Sequence, residues 1–541
     1  MLKPQPVPPV PEMTARAAHA AFPKGHCYLT LRDELGTIFT DDMFADLFPT
    51  VGRPAEAPWR LALVTIVQFA EGLSDRDVAD AVRDRITLKY LLGLEYDDSG
   101  FDYSILSRFR DRLVEGNSVA ILLDALVEAS RKAGLIKHRG KVRTDATHIL
   151  AKIRELSRLE LVGETLRHAL NEIAKAAPEW LRALAPDDWY KRYAKRFEEE
   201  SYRSRYKQGP GYSAQVGRDG FLLMTAVYSA DAPTGLGNLK AVELLRRCWL
   251  EQFMVEGDEV KMRKGGNMPP SAARLESPYD AEAHYGVNGG LSWVGYKVHY
   301  TESCDEDAPH LVVHVDTTEA AMADLVRVTP IHEQLKQRQL LPAEHFVDNQ
   351  YVTSKLLVDS KKHYSVELVG PIKPHYEAKG FGIGEFKIDW EHKVVTCPGG
   401  EQSTRWRPEV PKSGRAQITV RFAPSDCRAC SLNDRCAKNT TRVGRTLALL
   451  PREQYEAREA VKQKQHTQEW LARYQIRTGS EGTFSQAVSA GLRQSRYYGL
   501  NKNHLQNVAI AAGMNFQRLS DWFEEIPRAQ TRTSRFAALR A

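Results

Sequence analysis

The stretch Lys141-Val-Arg-Thr-Asp145-Ala-Thr-His148-Ile149 follows the polar turn His138-Arg-Gly140. Its β-branched residues and alternating pattern read as a strand that ends in an acid. Two further acids hold comparable places. His345-Phe-Val-Asp348-Asn-Gln-Tyr351 reads as a short apolar strand stopping at Asp348. Tyr474-Gln-Ile-Arg477-Thr-Gly-Ser-Glu481 opens a long helical region with Glu481 at its front. Phe484, Ala487, Val488, Gly491 and Leu492 then recur at the spacing of a buried helix face. Tyr474 precedes Glu481 by about two helical turns and Arg477 by about one, so the three can point the same way. In isolation, Arg477 and Glu481 would read equally as a surface pair at helical spacing.

Between these acids, Trp293 to Tyr300 and His310 to Asp316 alternate as strands, and Ala321 to Leu335 reads as a helix. Three strands, a helix, a strand and a later helix make an α/β pattern. Acids on adjacent parallel strands meet at one sheet edge, and a packed helix brings a third across them. Three crowded carboxylates repel unless cations neutralise them, so Asp145, Asp348 and Glu481 imply divalent metal. Oxygen ligands favour Mg²⁺ or Mn²⁺, and two such ions can clamp an in-line phosphoryl displacement. Arg477 suits a phosphate. Asp316 and Asp324 compete for the second place; Asp348 is preferred because it closes the strand just before an insertion.

The 541 residues carry a formal net charge of +6, with pI about 8.7. This mild basic excess permits nucleic-acid binding without proving it. No apolar run spans a bilayer and no signal peptide is evident, so an intracellular protein without a membrane partner is expected. Residues 1–25 begin with a proline-rich run and read as a flexible arm. Residues 39–135 read as a helical DNA-binding domain: Trp59 to Phe69 is an apolar-striped helix, Glu71-Gly72-Leu73 a turn, and Ser74 with Asp77 a capping box. Short helices around a tight turn suit a helix-turn-helix array, and equally any helical bundle. Arg108, Arg110 and Arg112 near the end of the helix from Tyr103 to Leu113 are candidate phosphate contacts.

Residues 136–363 are the first part of a catalytic domain, with a helical insertion at about 154–290. In that insertion Lys191, Arg192, Lys195 and Arg196, then Arg203 and Arg205, alternate with aromatics. That pattern suits phosphates and unstacked bases, or a solvated helix face. Only one helical segment, near Leu239 to Phe253, stands out between Pro210 and Gly290. Residues 364–450 form a β-rich insertion, 451–525 the C-terminal helices, and 526–541 a basic tail expected to be disordered.

Taken together, these motifs resemble the DDE transposases of bacterial insertion sequences, the RNase H-like group with the Y-(2)-R-(3)-E signature. Tyr474, Arg477 and Glu481 match that signature's spacing. Thr144-Asp145-Ala-Thr147 is similar to the family's first-acid strand, and Val347-Asp348-Asn-Gln-Tyr351 to its second. Gly52 to Leu113, with Gly72-Leu-Ser-Asp75 and Phe109-Arg110, resembles the N-terminal domain of many such enzymes. Arg496-Tyr-Tyr-Gly499-Leu-Asn-Lys502 and Gly513-Met-Asn515 resemble the C-terminal helix motifs. Val488 stands where the signature carries a lysine; Lys502 is the candidate for that charge. The resemblance implies an RNase H-like α/β catalytic domain with helical and zinc-bearing β insertions behind an all-helical N-terminal domain. It also implies cleavage of double-stranded DNA at terminal inverted repeats, strand transfer into target DNA, and a homodimer on DNA at the bacterial nucleoid. A nuclease that never joins strands and a noncatalytic DNA-binding derivative are the alternatives.

Cys397 and Cys427-x-x-Cys430-x₅-Cys436 bring four of the seven cysteines within about forty residues. A Cys-x₂-Cys knuckle with two further thiols signals a tetrahedral structural zinc; reduced thiols in a small core and an iron–sulfur cluster are the alternatives. Trp390 and Trp406, in the same insertion, read as packing residues or as aromatics for a flipped base. His148, His314, His332 and His345 are assigned no role.

Overall fold

The computed structural model describes residues 1–153, 156–197, 211–373, 380–412, 414–436, 443–528 and 539. Its central sheet has six strands: β1 (Lys141–Leu150), β2 (His284–Asn288), β3 (Leu291–Ser303), β4 (Val312–Glu319), β5 (Glu344–Phe346) and β6 (Glu367–Val369). β1 lies in the middle. On one side it pairs antiparallel with β3, whose far edge is shared by β2 and β4. On the other side it pairs parallel with β5, and β5 pairs parallel with β6. The helix Val328–Gln337 connects β4 to β5, and Ser354–Tyr364 connects β5 to β6. The α/β expectation holds at this level. β1 differs in one respect: it does not end at Asp145 but runs on to Leu150, where Leu150 N–H bonds the Arg493 carbonyl at 2.9 Å.

Side chains alternate across a strand, and directly opposed residues share a face. Asp145 opposes Tyr300, and Arg143 opposes Glu302. This face is covered by the helices Gly479–Ser489 and Leu500–Phe523. Phe484 stacks on Tyr300 with centroids 5.5 Å apart, and Tyr300 Oη donates to the Asn507 carbonyl at 2.9 Å. Thr144, His299 and Asp316 lie on the opposite face, by the registers Ala146↔His299 and His299↔Asp316.

The N-terminal region departs from its expectation in several ways. Residues 12–21 are a helix, with Thr14 and Ala18 buried, rather than part of a flexible arm. The proline run hides it, because the buried stripe is made of small residues with little hydrophobic signal. The capping box of Ser74 and Asp77 forms as expected and opens Asp75–Asp84. The preceding helix, Pro58–Ala70, is buried along almost its whole surface. It packs on Leu500–Phe523 so closely that a Cβ on Gly513 would lie 2.8 Å from the Ala70 Cβ. One apolar core runs from Tyr28 through the sheet to Leu519, so residues 39–135 share their core with the catalytic part instead of forming a separate body.

The helical insertion has its own core, around Trp189, Phe197, Trp249 and Phe253. Beside the expected helix, Lys240–Gln252, stands an unexpected one, Gly211–Val227. Its glycines suggest turns, yet Gly220 serves close packing: a Cβ there would meet the Trp249 indole at 2.2 Å. The β-rich insertion holds a three-stranded sheet (Arg405–Glu409, Gln417–Arg421, Thr446–Leu449) over Phe386, Val395 and Phe422. Trp390 and Trp406 pack edge-on against each other there, 5.5 Å apart. Among the described residues no helix is long and apolar enough to cross a membrane.

Candidate active site

β5 is in parallel register with β1, Arg143 opposing Phe346. Continuing that register by two residues sets Asp348 level with Asp145. The two carboxyl groups sense each other: burial pushes the Asp145 carboxyl above the usual range, Arg477 draws it back, and Asp348 raises it further. Burial also pushes up Asp348, with Arg477 opposing. Gln350 N–H holds Asp348 Oδ1 at 2.7 Å, and Ala146 N–H holds Asp145 Oδ1 at 2.9 Å.

Residues 475–478 form a short 3-10 turn between the helices Gln468–Tyr474 and Gly479–Ser489. The turn delivers Arg477 Nη2 to Asp145 Oδ2 at 3.0 Å, and Ser480 Oγ donates to the same oxygen at 3.1 Å. Arg477 Nε is buried and has no hydrogen-bond partner among the described residues. Tyr474 stacks on Trp470 and donates its hydroxyl to the Val347 carbonyl at 3.0 Å, next to Asp348. Burial pushes that phenol up to about 12, so it stays protonated. Glu481 stands in the first turn of its helix, exposed to solvent, with no hydrogen bond or ion pair among the described residues.

The rival acids are each held by a cation, although Asp324 stays close enough to Asp348 to push its carboxyl up further. Asp316 is held by Arg327 at 2.6 Å and Asp324 by Lys297 at 2.8 Å, and Asp316 lies on the sheet face opposite Asp145.

A buried charge network that sequence reasoning missed holds this arrangement together. Arg143, two residues before Asp145 and on its face, donates from Nε to Glu302 at 2.7 Å and from Nη1 to the Ile476 carbonyl at 2.6 Å. Glu302 also accepts from Thr483 Oγ1 at 2.7 Å and from Arg518 Nη1 at 2.8 Å. Burial alone would push this carboxyl up, but Arg518 and Arg143 hold it below the usual range. Gly479 has to lack a side chain, since a Cβ would lie 2.0 Å from Arg143 Nη1. The helix that carries Glu481 is therefore locked onto the strand that carries Asp145.

Among the described residues, no group of three or more His, Cys, Asp or Glu is assembled closely enough to hold a metal ion. Asp145 and Asp348 are oxygen donors of the kind Mg²⁺ takes, an ion commonly bound by one or two carboxylates plus substrate phosphates. The four thiols Cys397, Cys427, Cys430 and Cys436 are unpaired and line one cavity of about 30 Å³. Leu432 N–H points to Cys430 Sγ and Arg445 N–H to Cys427 Sγ, each at 3.4 Å. Four thiols are the donor type of a tetrahedral zinc site, but here they are not drawn together closely enough to hold an ion.

The expected DNA contacts divide. Arg108, Lys191, Lys195 and Arg196 are exposed. Arg110 is not available: it is 7% exposed and spends its terminal nitrogens on Gln68 Oε1 at 3.0 Å and Asp75 Oδ2 at 2.7 Å. Arg112 caps the Leu47 carbonyl at 3.0 Å and lies over Phe48. Arg192 is held by Asp219 at 3.0 Å, and Lys502 pairs with Asp111 at 2.8 Å. Arg203 and Arg205 lie outside the described residues. The helix Asp75–Asp84 carries four aspartates and two arginines, a poor surface for a phosphate backbone. His332 and His345 bond each other at 2.9 Å in the core; burial pushes His332 down to about 4, so it stays neutral.

Two family models match the chain. One, described as a transposase DDE domain, covers residues 396–520; the other, described as a transposase domain (DUF772), covers 16–112. The first takes in the four thiols, Arg477, Glu481 and most of the closing helix, and the second the N-terminal helices; Asp145 and Asp348 lie outside both. Comparisons with curated proteins and with solved structures find no match.

Proposed function

We propose that this chain, an insertion-sequence transposase of the DDE type, cleaves DNA at its element's terminal inverted repeats and joins the freed ends to target DNA. The observation that carries the reading is the placement of Asp145, Asp348 and Arg477. Two half-buried carboxylates lie close enough to feel each other beside an arginine with a buried Nε–H that has no partner among the described residues, and Glu481 follows on the same locked helix. The sheet order, β1, β3 and β4 antiparallel with β5 and β6 parallel through helical crossovers and β2 added at the far edge of β3, supports an RNase H-like fold. Transposases of this kind use divalent metals such as Mg²⁺.

Asp145 and Asp348 would hold such ions, two in number, with Glu481 completing the set when DNA is bound. Divalent ions there would activate the attacking oxygen and stabilise the leaving 3′-oxygen. The chain's own contribution is to orient and neutralise. Arg477 keeps Asp145 ionised and offers Nε–H to a phosphate oxygen. Tyr474 pins the Val347 carbonyl and so fixes the turn that bears Asp348. Since two ends must be joined, a homodimer on DNA is the working assembly.

The test incubates purified protein with DNA carrying the element's ends, Mg²⁺ and a plasmid target. The expected products are cleaved ends and end–target joints. Nicked or cut DNA without joints would favour a nuclease that does not transfer strands. Binding without any cut would favour a noncatalytic derivative.

The four thiols are assigned to one structural zinc that staples the β-rich insertion, whose apolar core is small. Purified protein should contain about one zinc per chain, with thiolate ligands about 2.3 Å from the metal by X-ray absorption. Full stability and activity in a zinc-free preparation would exclude that role.

A further inference from the structure

β1 does not stop at the catalytic carboxylate. It continues five residues beyond Asp145 to Leu150, a span of about 16 Å at the usual strand rise. There the segment after the Glu481 helix folds back on it: Leu150 N–H bonds the Arg493 carbonyl, and Ser495 N–H bonds the Leu150 carbonyl at 3.0 Å. This junction presents an unusual surface. The Tyr498 ring is 46% exposed and Leu150 is 42% exposed. Lys152 Nζ stands 5.8 Å from the Tyr498 ring centroid, and Tyr279 supports that ring at 6.5 Å with a 36° tilt.

Lys152 and Arg493 are exposed, and neither side chain makes a hydrogen bond or ion pair among the described residues. The nearby acid, Glu282, is turned away onto the Leu500 N–H at 2.7 Å. Arg496, three residues after Arg493, is spent on the Leu73 and Gly72 carbonyls. An exposed aromatic with one uncommitted cation beside its ring and a second on the backbone junction with Leu150 matches what an unstacked nucleobase and its adjoining phosphates need.

We infer that Tyr498, Lys152 and Arg493 form a platform for single-stranded DNA, stacking one base on Tyr498 and holding its flanking phosphates. The inference rests on the DNA-processing reading above and extends it to the strand beyond the acids. An opened strand end, rather than intact duplex, is the ligand, because bases in a duplex offer no free ring face.

Fluorescence anisotropy with the full chain tests this, using a labelled 20-nucleotide oligothymidylate and a 20-base-pair mixed-sequence duplex. Tyr498→Ala should weaken oligothymidylate binding about tenfold, the loss of one base stack. It should change duplex binding less than about twofold, and Tyr498→Trp should restore the single-strand affinity. Equal losses on both probes, or none on oligothymidylate, would overturn the stacking role; the first result would mean that Tyr498 only supports the fold. The double substitution Lys152→Gln and Arg493→Gln should reduce the single-strand salt slope by about 1.4, two phosphate contacts at about 0.7 each. An unchanged slope would overturn the phosphate contacts. If the unsubstituted protein bound neither probe, the DNA-processing reading would fall along with the platform. If only the Tyr498 effect were missing, the platform alone would fall.

Discussion

Asp145→Asn should bind the element's ends normally and lose cleavage and joining together. The substitution keeps the side chain's size and the acceptor for Ala146 N–H, but removes the charge and replaces Oδ2, which accepts from Arg477 and Ser480, with an NH₂ donor. Without that charge the pair of half-buried carboxylates becomes one, and one oxygen donor for a divalent ion is lost. The expected deficit is at least about 4 kcal/mol, roughly a thousandfold in rate. Glu481→Gln should behave in the same way. Its side chain is free of internal partners, so its loss cannot be put down to a damaged fold. Asp316→Asn and Asp324→Asn are the contrasting cases. Each acid is tied to its own cation away from Asp145, and each variant should keep chemistry within about tenfold of the unsubstituted protein, a deficit near 1.4 kcal/mol. A gel shift beside a strand-transfer assay reads all four. Normal joining by Asp145→Asn or Glu481→Gln would remove that residue from the catalytic set.

Glu302→Gln should be the most damaging substitution to the fold among those away from the acids. Glu302 is held between the buried Arg143 and the half-buried Arg518, and neutralising it leaves the two cations facing each other with His310 beside both and Thr483 beside Arg518. Breaking a buried ion pair from one side costs about 3–5 kcal/mol. Urea denaturation should show the loss as a lowered midpoint with an unchanged slope. The effect should also depend on pH. The folded Glu302 carboxyl lies below the usual range, so its contribution is complete above the unfolded value of about 4.3 and is lost as pH falls through the lower folded value. The gap between variant and unsubstituted protein should therefore be full at neutral pH and close in acid. A gap of the same size at pH 3 and pH 7 would show that the ion pairs are not its source.

The sequence made some of this legible and hid the rest for physical reasons. The Tyr474, Arg477 and Glu481 spacing was readable because one short segment carries it, and it does deliver Arg477 to Asp145. The parallel pairing of β1 with β5 was readable from two acid-terminated apolar runs. Arg143 and Glu302 gave no such signal: they are 159 residues apart, and burial turns two ordinary charged residues into a clamp. Arg110 misled in the opposite sense, since a cation near the end of a helix looks solvated until Gln68 and Asp75 are found around it. Gly217 and Gly220 read as turn formers, yet they sit in a helix where indole and phenyl rings need the space. Whether Asp145, Asp348 and Glu481 close around metal depends on the phosphate they would share, and no pattern in the chain encodes that.

The closing helix, Leu500–Phe523, has a consequence for how the protein is made. It fills the space between Pro58–Ala70 and the sheet, so the apolar surface of the earliest helices has its partner near the other extreme of the chain. At bacterial elongation rates of about 5–20 residues per second, the ribosome needs roughly 25–90 s to travel from one to the other. Through that interval the nascent N-terminal helices carry uncovered leucine, isoleucine and phenylalanine. They are exposed to chaperones and proteases until the last stretch emerges. A message truncated anywhere before the closing helix would yield a chain unable to complete its core, so quality control would remove incomplete copies.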